Sequence, residues 1–337
     1  MTDNPYILLS VFFVVVGLSY AAWKFKWNKV FISGEIRRKT AIEDILKQLY
    51  HVEYSGRKAT LNAMAGALKL SHTRLVELIQ EMGEINLLRT KGDTLELTQS
   101  GRDYALRIIR VHRLWEKYLS EKTGIDRSEW HSHAEKMEHT LSRKDADELY
   151  RELGNPRFDP HGDPIPMASG EIIETNAVTL SSIQSGSLVR IIHIEDEPDT
   201  IYQQIIDQKL HMGQQLQVID SNDQQVTFRS EGTSYTLSTI VASNIGVKEL
   251  SNEEVFEANT IRLSSLNEGE KAKVIGISSE CRGAARRRLL DLGFIKGTII
   301  ETEMQGPSSD PKAYKIRNTL IALRSDQADL ILIEKVK

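Results

Sequence analysis

The sequence predicts a multidomain α+β protein with a transmembrane helix, a winged helix-turn-helix, a second helical domain and two small β-barrels. Three observations predict this order. Residues 6–23 carry no charged side chain, residues 40–153 follow a mostly helical periodicity, and the chain after about residue 177 is β-prone and repeats itself. A length of 337 residues is enough for two to four compact domains.

Composition excludes some classes of site and leaves others open. Lys plus Arg number 43 and Asp plus Glu number 47, so the net charge of -4 does not by itself indicate a nucleic-acid partner. The single cysteine, Cys281, permits neither an intramolecular disulfide nor a metal site built of thiolates. A metal site in this chain is therefore expected to rely mainly on oxygen and imidazole ligands.

The N-terminal residues 1–30 are predicted to anchor the protein in a membrane. The uncharged run from Tyr6 to Trp23 nearly spans a hydrocarbon core of about 30 Å at about 1.5 Å per residue. Six Lys or Arg residues follow between positions 24 and 39, whereas only Asp3 precedes the run. The positive-inside rule then predicts a single-pass protein of the inner membrane whose remaining domains lie in the cytoplasm. The alternative, a buried core helix, would rarely be apolar on every face.

Residues 36–100 are predicted to form a winged helix-turn-helix. A helical pattern starts at Thr40, a short helix covers residues 59–70, and a second helix begins near Ser71. Two β-prone runs then flank Gly92, which is a hairpin signal. Helix, helix and hairpin in this order are typical of the fold. Candidate DNA contacts at the start of the recognition helix, on the wing and before the first short helix are Arg57, Lys58, Ser71, Thr73, Arg74, Arg89 and Lys91.

Acidic residues on the recognition helix complicate the prediction of DNA binding. Glu81 and Glu84 could lie off the groove, but Glu77 follows Thr73 and Arg74 by about one turn and could face it. A carboxylate there would repel phosphates or accept a hydrogen bond from a cytosine amino group. The alternative is therefore a winged helix that is retained only as a scaffold.

Residues 101–168 are predicted to form a helical domain that carries a metal site. His131, Glu135, Glu138 and His139 fall on one helical face, and His112 and Glu116 repeat the spacing of four residues one helix earlier. Asp44 faces inward on the first helix of the preceding domain. Carboxylates at such spacing repel each other unless a cation lies between them, and this ligand set suits Mn(II), Fe(II) or Zn(II). The spacing is equally compatible with a solvated polar face that holds incidental histidines.

The C-terminal part contains an internal repeat of about 83 residues. The segment Leu180–Ile183 and the segment Leu263–Leu266 are each followed by a glycine and an apolar run. Each copy also has a short helix, near Ile205 and near Leu290. The repeat predicts two copies of one small β-barrel, the first barrel over residues 177–252 and the second barrel over residues 258–337.

Three strings resemble the diphtheria-toxin-repressor family, which includes the manganese transport regulators. They are VHRLWEKYL from Val111, EKMEH from Glu135 and DPHGDPIP from Asp159. The resemblance covers residues 38–250. The second barrel, with CRGAARRRLLDLGFIKGTIIE from Cys281, resembles FeoA, a small SH3-like β-domain of ferrous-iron transport.

The resemblance implies a homodimer whose dimerisation domain, residues 101–168, binds metal. It implies a main site of Asp44, Glu135, Glu138 and His139 with His112, and an ancillary site of His112, Glu116 and His131, which Glu197 of the first barrel could approach. Asp44 and Glu135 match manganese-type members, whereas Lys47 replaces a glutamate that those members use. Glu116 and His131 resemble the iron type. The implied cofactor is therefore Mn(II) or Fe(II).

The function implied is that of a metal-dependent repressor of metal-uptake genes, bound to double-stranded operator DNA and tethered to the membrane. The alternative is a membrane-bound metal sensor that regulates a metal transporter by contact, without binding DNA. The sequence does not predict an enzyme. A metallohydrolase would need an open coordination position and a general base, and the sequence contains no HExxH string.

Overall fold

The structure is a computed structural model that describes residues 34–251, 259–306 and 309–336. The predicted membrane anchor lies outside these residues. Within the described ranges, no helix has both the length and the apolar character needed to cross a bilayer. The described chain divides after Ile109 into two compact units, which are taken here in turn.

The first unit is a winged helix-turn-helix. Its elements in chain order are a helix over residues 34–54 (α1), β1 (Ala59–Thr60), α2 (Leu61–Ala67), α3 (His72–Glu84), β2 (Leu88–Lys91), β3 (Thr94–Leu97) and the first part of α4 (Gln99–Lys122). The three strands form an antiparallel sheet in the order β1-β3-β2. The wing is the β2–β3 hairpin, as the sequence predicts.

Side-chain caps start both short helices. The Ser71 hydroxyl accepts a hydrogen bond from the Arg74 backbone N–H at 3.3 Å, which is the predicted N-cap of α3. Thr60 does the same for α2, so that helix begins two residues later than the sequence suggests. Ala59 and Thr60 instead pair with β3, because an N-cap residue keeps an extended backbone that a strand can use.

Two carboxylates of α1 bind groups elsewhere in the first unit. The Tyr104 hydroxyl donates to the buried carboxylate of Glu43 at 2.6 Å, and burial together with this bond raises the pKa of Tyr104. Glu53 accepts from the Leu97 backbone N–H at 2.6 Å and pairs with Arg102 at 2.5 Å. Charge-assisted bonds of this kind are stronger than neutral ones, so they fix α1 against the wing and the start of α4.

The second unit begins with three helices and an ordered loop. The helices are the rest of α4, α5 (Trp130–Glu138) and α6 (Arg143–Glu152). A small apolar core joins α4, α6 and the loop through Val111, Leu114, Ala146, Leu149 and Ile165. The α6 helix starts with a capping box between Ser142 and Asp145.

The loop over residues 159–166 is fixed by side chains of α4. Arg113 donates to the carbonyl of Pro164 at 2.6 Å and to Asp163 at 3.1 Å, and Arg110 donates to the carbonyl of Pro166 at 2.6 Å. Within the loop, Asp159 accepts backbone hydrogen bonds from His161 and Asp163 at 2.8 and 2.9 Å. This segment, irregular by sequence, is therefore held in place by hydrogen bonds.

Gly162 is the loop residue that no other residue type can replace. Its φ of +95° lies in the left-handed region. A Cβ at this position would lie 2.1 Å from the carbonyl oxygen of Ile192 in the first barrel. The glycine therefore lets the loop pass close to a strand of the barrel.

The first barrel is a six-stranded antiparallel sheet with two helices. Its elements are β4 (Val178–Thr179), β5 (Leu188–Ile194), α7 (Asp199–Asp207), β6 (Gln215–Ser221), β7 (Gln225–Ser230), β8 (Thr233–Ser238), α8 (Thr239–Ala242) and β9 (Ile245–Glu249). The strand order is β4-β9-β5-β6-β7-β8.

The second barrel repeats this architecture. Its elements are β10 (Ile261–Arg262), β11 (Lys271–Ile277), α9 (Gly283–Asp291), β12 (Ile299–Gln305), β13 (Lys312–Ile316), β14 (Thr319–Leu323), α10 (Ser325–Ala328) and β15 (Ile331–Lys335). The order β10-β15-β11-β12-β13-β14 is that of the first barrel, strand for strand. The first long strands also share a bulge, between Ile191 and His193 and between Val274 and Gly276. The predicted repeat is therefore confirmed at the level of topology.

Candidate metal centre

Carboxylates and imidazoles from four segments of the second unit converge on one buried region. Helix α4 contributes His112 and Glu116, and α5 contributes His131. The ordered loop contributes His161, and the first barrel contributes Asp196 just after β5. We call this group the metal cluster.

His112 connects two carboxylates. Its Nδ1 lies 2.5 Å from Glu138 Oε2, and its Nε2 lies 3.2 Å from Glu116 Oε1. All three residues are buried. The sequence assigned His112 to either of two sites, and its two ring nitrogens contact one carboxylate of each set.

His131 lies among four carboxylates. Its Nδ1 is 3.0 Å from Asp196 Oδ2 and 3.6 Å from Glu116 Oε1. Its Nε2 is 3.1 Å from Glu197 Oε1 and 3.5 Å from Glu135 Oε1. Two of these groups, Asp196 and Glu197, come from the first barrel, so the barrel completes the surroundings of the helical residue.

His161 was missed by sequence reasoning and has a buried ring nitrogen without a hydrogen bond. Its Nδ1 lies 3.3 Å from the Tyr202 hydroxyl, while its Nε2 has no hydrogen-bond partner among the described residues. That Nε2 lies 3.9 Å from Glu116 Oε1. A buried, unsatisfied nitrogen is costly unless something else binds it. The only sequence signal for His161 was its place in the DPHGDPIP string.

The electrostatics of the cluster keep the carboxylates ionised. Burial would raise the pKa of Glu116, but His112, His131 and His161 hold it well below its usual range. Burial would lower the pKa of His131, but its carboxylate neighbours, led by Asp196, raise it. Burial lowers the pKa of His161, so this imidazole is neutral and offers a lone pair.

The donor set fits a divalent transition metal. Among the described residues of the second unit, three groups each place one ligand atom per residue within 4.8 Å of the others. They are His112, Glu116 and His131; Glu116, His161 and Asp196; and His131, Glu135 and Glu197. Carboxylate oxygen with imidazole nitrogen and no thiolate is the chemistry of Mn(II) and non-haem Fe(II) sites. The orphaned Nε2 of His161 is an independent sign that a ligand-binding position exists here.

The structure distributes the remaining predicted metal ligands as follows. Glu138 Oε1 lies 3.6 Å from His139 Nε2, and α5 ends at Glu138, so His139 is the residue that caps it. The Glu135 side chain is 55% exposed and lies 3.5 Å from His131 Nε2. Asp44 lies on α1 in the first unit, partly buried, and its role as a ligand stays a prediction.

All seven candidate DNA contacts of the first unit are exposed. Some have neighbours that affect their availability. Arg74 Nη1 lies 3.1 Å from Glu77 Oε2, and Lys91 Nζ lies 3.8 Å from Glu96. Glu81 of the recognition helix forms an ion pair with Arg38 of α1, so its charge is compensated within the unit.

Comparison with known proteins identifies two domains. The model of the iron-dependent repressor metal-binding and dimerisation domain matches residues 98–167, and that of the FeoA domain matches residues 261–335. These matches confirm the predicted resemblances to a metal-dependent repressor and to FeoA. The remaining segments are characterised by similarity to whole proteins.

Two repressors and one solved structure extend the similarity. The chain is 32% identical over 173 residues to the iron-dependent repressor IdeR of Mycobacterium leprae, covering 47% of this chain and 75% of that protein. It is 26% identical over 220 residues to the diphtheria toxin repressor of Corynebacterium diphtheriae, covering 62% and 96%. A manganese-dependent transcriptional repressor in complex with manganese has a TM-score of 0.58 and 27% identity, covering 62% of this chain and all of that chain.

The matched repressors are not enzymes, which confirms the prediction that this protein is not one. The similarity to IdeR covers three quarters of that protein at over 30% identity, and the metal cluster supplies the donor atoms that such a repressor requires. The chain belongs to the family of metal-dependent transcriptional repressors that includes IdeR and the diphtheria toxin repressor.

Proposed function

We propose that this protein is a homodimeric, membrane-tethered repressor whose binding to operator DNA is activated by Mn(II) or Fe(II). The observation that carries the metal-dependent part of the proposal is the buried metal cluster, in which His161 Nε2 has no hydrogen-bond partner among the described residues and Glu116 lies among three imidazoles. Within a protein interior, such a group of charges is stable only when it is paired or binds a cation.

The bound cation would supply positive charge that holds acidic and imidazole side chains from several elements together. His112, Glu116, His131 and His161 would hold it within the second unit, with Asp196 or Glu197 from the first barrel. Glu138 and His139, together with Glu135, would hold a second ion, and Asp44 of the first unit stays a ligand that only the resemblance implies. Metal binding would favour the DNA-binding state of the dimer, which is a population shift driven by differential affinity.

Hard oxygen ligands favour Mn(II) over softer metals. Four carboxylates lie within 3.6 Å of His131 alone. The matched iron-dependent repressors and the FeoA-like second barrel favour Fe(II). We therefore propose that the sites accept both ions and that cellular availability decides which one is bound.

DNA binding would use α3 and the wing. Ser71, Thr73 and Arg74 at the start of α3 would reach base edges, while Arg57, Lys58, Arg89 and Lys91 would contact phosphates. Support comes from the exposure of all seven side chains. The ion pair with Arg38, which offsets the negative charge of Glu81, also supports DNA binding. Membrane tethering rests on the uncharged run over residues 6–23 and on the basic residues that follow it.

Metal analysis of anaerobically purified protein tests the proposed cofactor. We expect the wild type to retain Mn(II) or Fe(II), and we expect Glu138→Ala and His139→Ala to retain clearly less. Equal and negligible metal in all three proteins would contradict metal binding at both proposed sites. Cell fractionation with and without residues 1–30 tests the tether, because only the longer chain should sediment with membranes.

A second candidate function is a metal sensor that regulates a transporter by contact and does not bind DNA. The observation that favours it is the ion pair between Arg74 and Glu77, which occupies a residue proposed to read bases. A gel shift with random and promoter-derived DNA, with and without Mn(II) or Fe(II), separates the two functions. Metal-dependent retardation supports the repressor; metal binding without any retardation supports the sensor.

A further inference from the structure

The second barrel has a loop that contacts both the first barrel and the helices of the metal centre. This loop, residues 278–282, connects β11 to α9. We call it the strut. The described residues of the barrel to which it belongs contribute no side chain to the metal cluster.

The strut is fixed to the first barrel by hydrogen bonds. The Ser279 hydroxyl donates to the carbonyl of Met212 at 2.5 Å, and the Ser278 hydroxyl lies 3.2 Å from His211 Nε2. His211 is itself buried and lies 3.1 Å from Glu231, which pairs with Arg262 of the second barrel at 2.8 Å. The two barrels are therefore joined by a partly buried polar network on either side of the strut.

The strut is also held within its own barrel. Arg286 of α9 donates from one nitrogen toward three backbone carbonyls, those of Ile277, Ser278 and Cys281, at 3.1 to 3.4 Å. Arg282, the last strut residue, donates to the carbonyl of Ser279 at 3.0 Å. A loop with this many local bonds presents its side chains in one orientation rather than many.

The strut presents Arg282 to the start of α5. The guanidinium carbon lies 5.3 Å from the centre of the Trp130 ring, which is cation–π distance. Trp130 is 6% exposed, and its indole N–H donates to the carbonyl of Ile125 at 3.0 Å. The following residue, Gly283, lies close to the end of α4. A Cβ added at Gly283 would lie 3.7 Å from the Thr123 carbonyl oxygen.

Trp130 leads directly to the metal cluster. It precedes His131 in the chain, and its ring meets the His161 ring edge-on with centroids 5.9 Å apart. His161 in turn directs its Nε2 toward Glu116. A displacement of Trp130 would therefore move His131 through the shared backbone. It would also remove a packing partner of the His161 ring.

We propose that the second barrel positions the metal-binding helix α5 through the contact of Arg282 with Trp130, and so sets the metal affinity of the cluster. This inference rests on the proposed function, because it concerns the affinity of the same centre. Arg282 is a positioning residue and touches no proposed ligand position. The FeoA-like second barrel would then hold α5 in position rather than act as an independent module.

The test compares Mn(II) binding by the full chain in detergent for the wild type, Arg282→Ala, Arg282→Lys and Arg287→Ala. Arg287 is an exposed arginine on α9, the helix that follows the strut, and is the matched control for charge. Loss of a packed contact along a coupled network changes affinity by about 2-fold to 30-fold. We expect Arg282→Ala to bind Mn(II) weaker within this range, Arg282→Lys to fall between it and the wild type, and Arg287→Ala to match the wild type.

A second readout uses metal-free protein, where affinity plays no part. We expect amide hydrogen exchange of residues 130–138 to be faster in Arg282→Ala than in the wild type, with exchange of residues 72–84 unchanged. Faster exchange everywhere would indicate global destabilisation. In that case the Mn(II) affinity of Arg282→Lys decides, and an affinity between those of the wild type and Arg282→Ala supports the inference. If Arg282→Ala keeps the wild-type affinity and the wild-type exchange rates, this inference is overturned and the proposed function is not affected. A wild type that binds neither Mn(II) nor Fe(II) would overturn the proposed function and this inference with it.

Discussion

Replacing Glu138 by glutamine removes one charge from the metal centre while keeping the side-chain volume. The Glu138 side chain is 2% exposed and lies 2.5 Å from His112 Nδ1 and 3.6 Å from His139 Nε2. A glutamine can still hydrogen-bond to His112, so the packing around α5 is preserved. A neutral amide oxygen, however, is a far weaker ligand for a divalent cation than a carboxylate.

The magnitude follows from binding linkage. A metal present at about 100 times its dissociation constant stabilises the folded state by about 2.7 kcal/mol. In a unit the size of Arg110–Lys337, each kcal/mol raises Tm by about 2–4 °C, so each bound Mn(II) should raise the wild-type Tm by about 5–11 °C. If Glu138→Gln weakens binding at its own site by about 100-fold, Mn(II) at that site contributes only about 0.4 kcal/mol, or about 1–2 °C, while an ion at the other proposed site keeps its contribution.

The assay is thermal unfolding followed by far-ultraviolet circular dichroism, with and without Mn(II), at fixed protein concentration. Each variant is compared with its own metal-free Tm, because replacing a charge-assisted bond to His112 by a neutral one also lowers the stability of the metal-free protein. Glu148→Gln, at a 52% exposed position on α6, is the control and should keep the full wild-type shift. A Glu138→Gln shift as large as that of the wild type would refute the assignment of Glu138 as a ligand.

Three further changes test other parts of the structure. Gly162→Ala should destabilise by about 3–5 kcal/mol in urea unfolding, since its φ is positive and a Cβ would strike the Ile192 carbonyl; a loss below about 1 kcal/mol would contradict this. Burial would raise the pKa of Glu231, but its hydrogen bond with His211 holds the pKa below its usual range. The stability it contributes is therefore present above about pH 4.3 and lost as pH falls through the folded pKa, so Glu231→Gln should lose less stability than the wild type on acidification. Arg89→Ala should weaken DNA binding equally for all sequences and reduce the salt slope by about 1, measured by fluorescence anisotropy.

Local features of the fold could be predicted from the sequence because local chemistry determines them. Ser71 caps α3 since its hydroxyl can reach the backbone N–H three residues later, whatever the rest of the chain does. The β2–β3 hairpin follows from Gly92, whose φ of +60° suits the turn. The barrel repeat was visible because the spacing of about 83 residues reflects two copies of one topology.

Long-range features could not be predicted in this way. Helical spacing correctly grouped His112 with Glu116, but it carries no information about which distant segments approach them. Asp196 reaches His131 from a different domain, and His161 reaches Glu116 from a loop that appeared irregular. Spacing also suggested that the side chains from His131 to His139 form one continuous face. In the structure, Glu135 contacts His131, whereas Glu138 contacts His112.

The geometry of the cluster depends on residues that cannot bind a metal. The loop that carries His161 is held to α4 by Arg113, which donates to the Pro164 carbonyl at 2.6 Å and to Asp163 at 3.1 Å. Because these bonds involve charged groups, losing them costs more than losing neutral hydrogen bonds and frees the loop that points His161 at Glu116. Positioning residues of this kind, including Trp130 beside His131, explain why a list of donor atoms is not sufficient to specify the site. The segments that supply the donor atoms must each be fixed in place before those atoms can lie within reach of a cation.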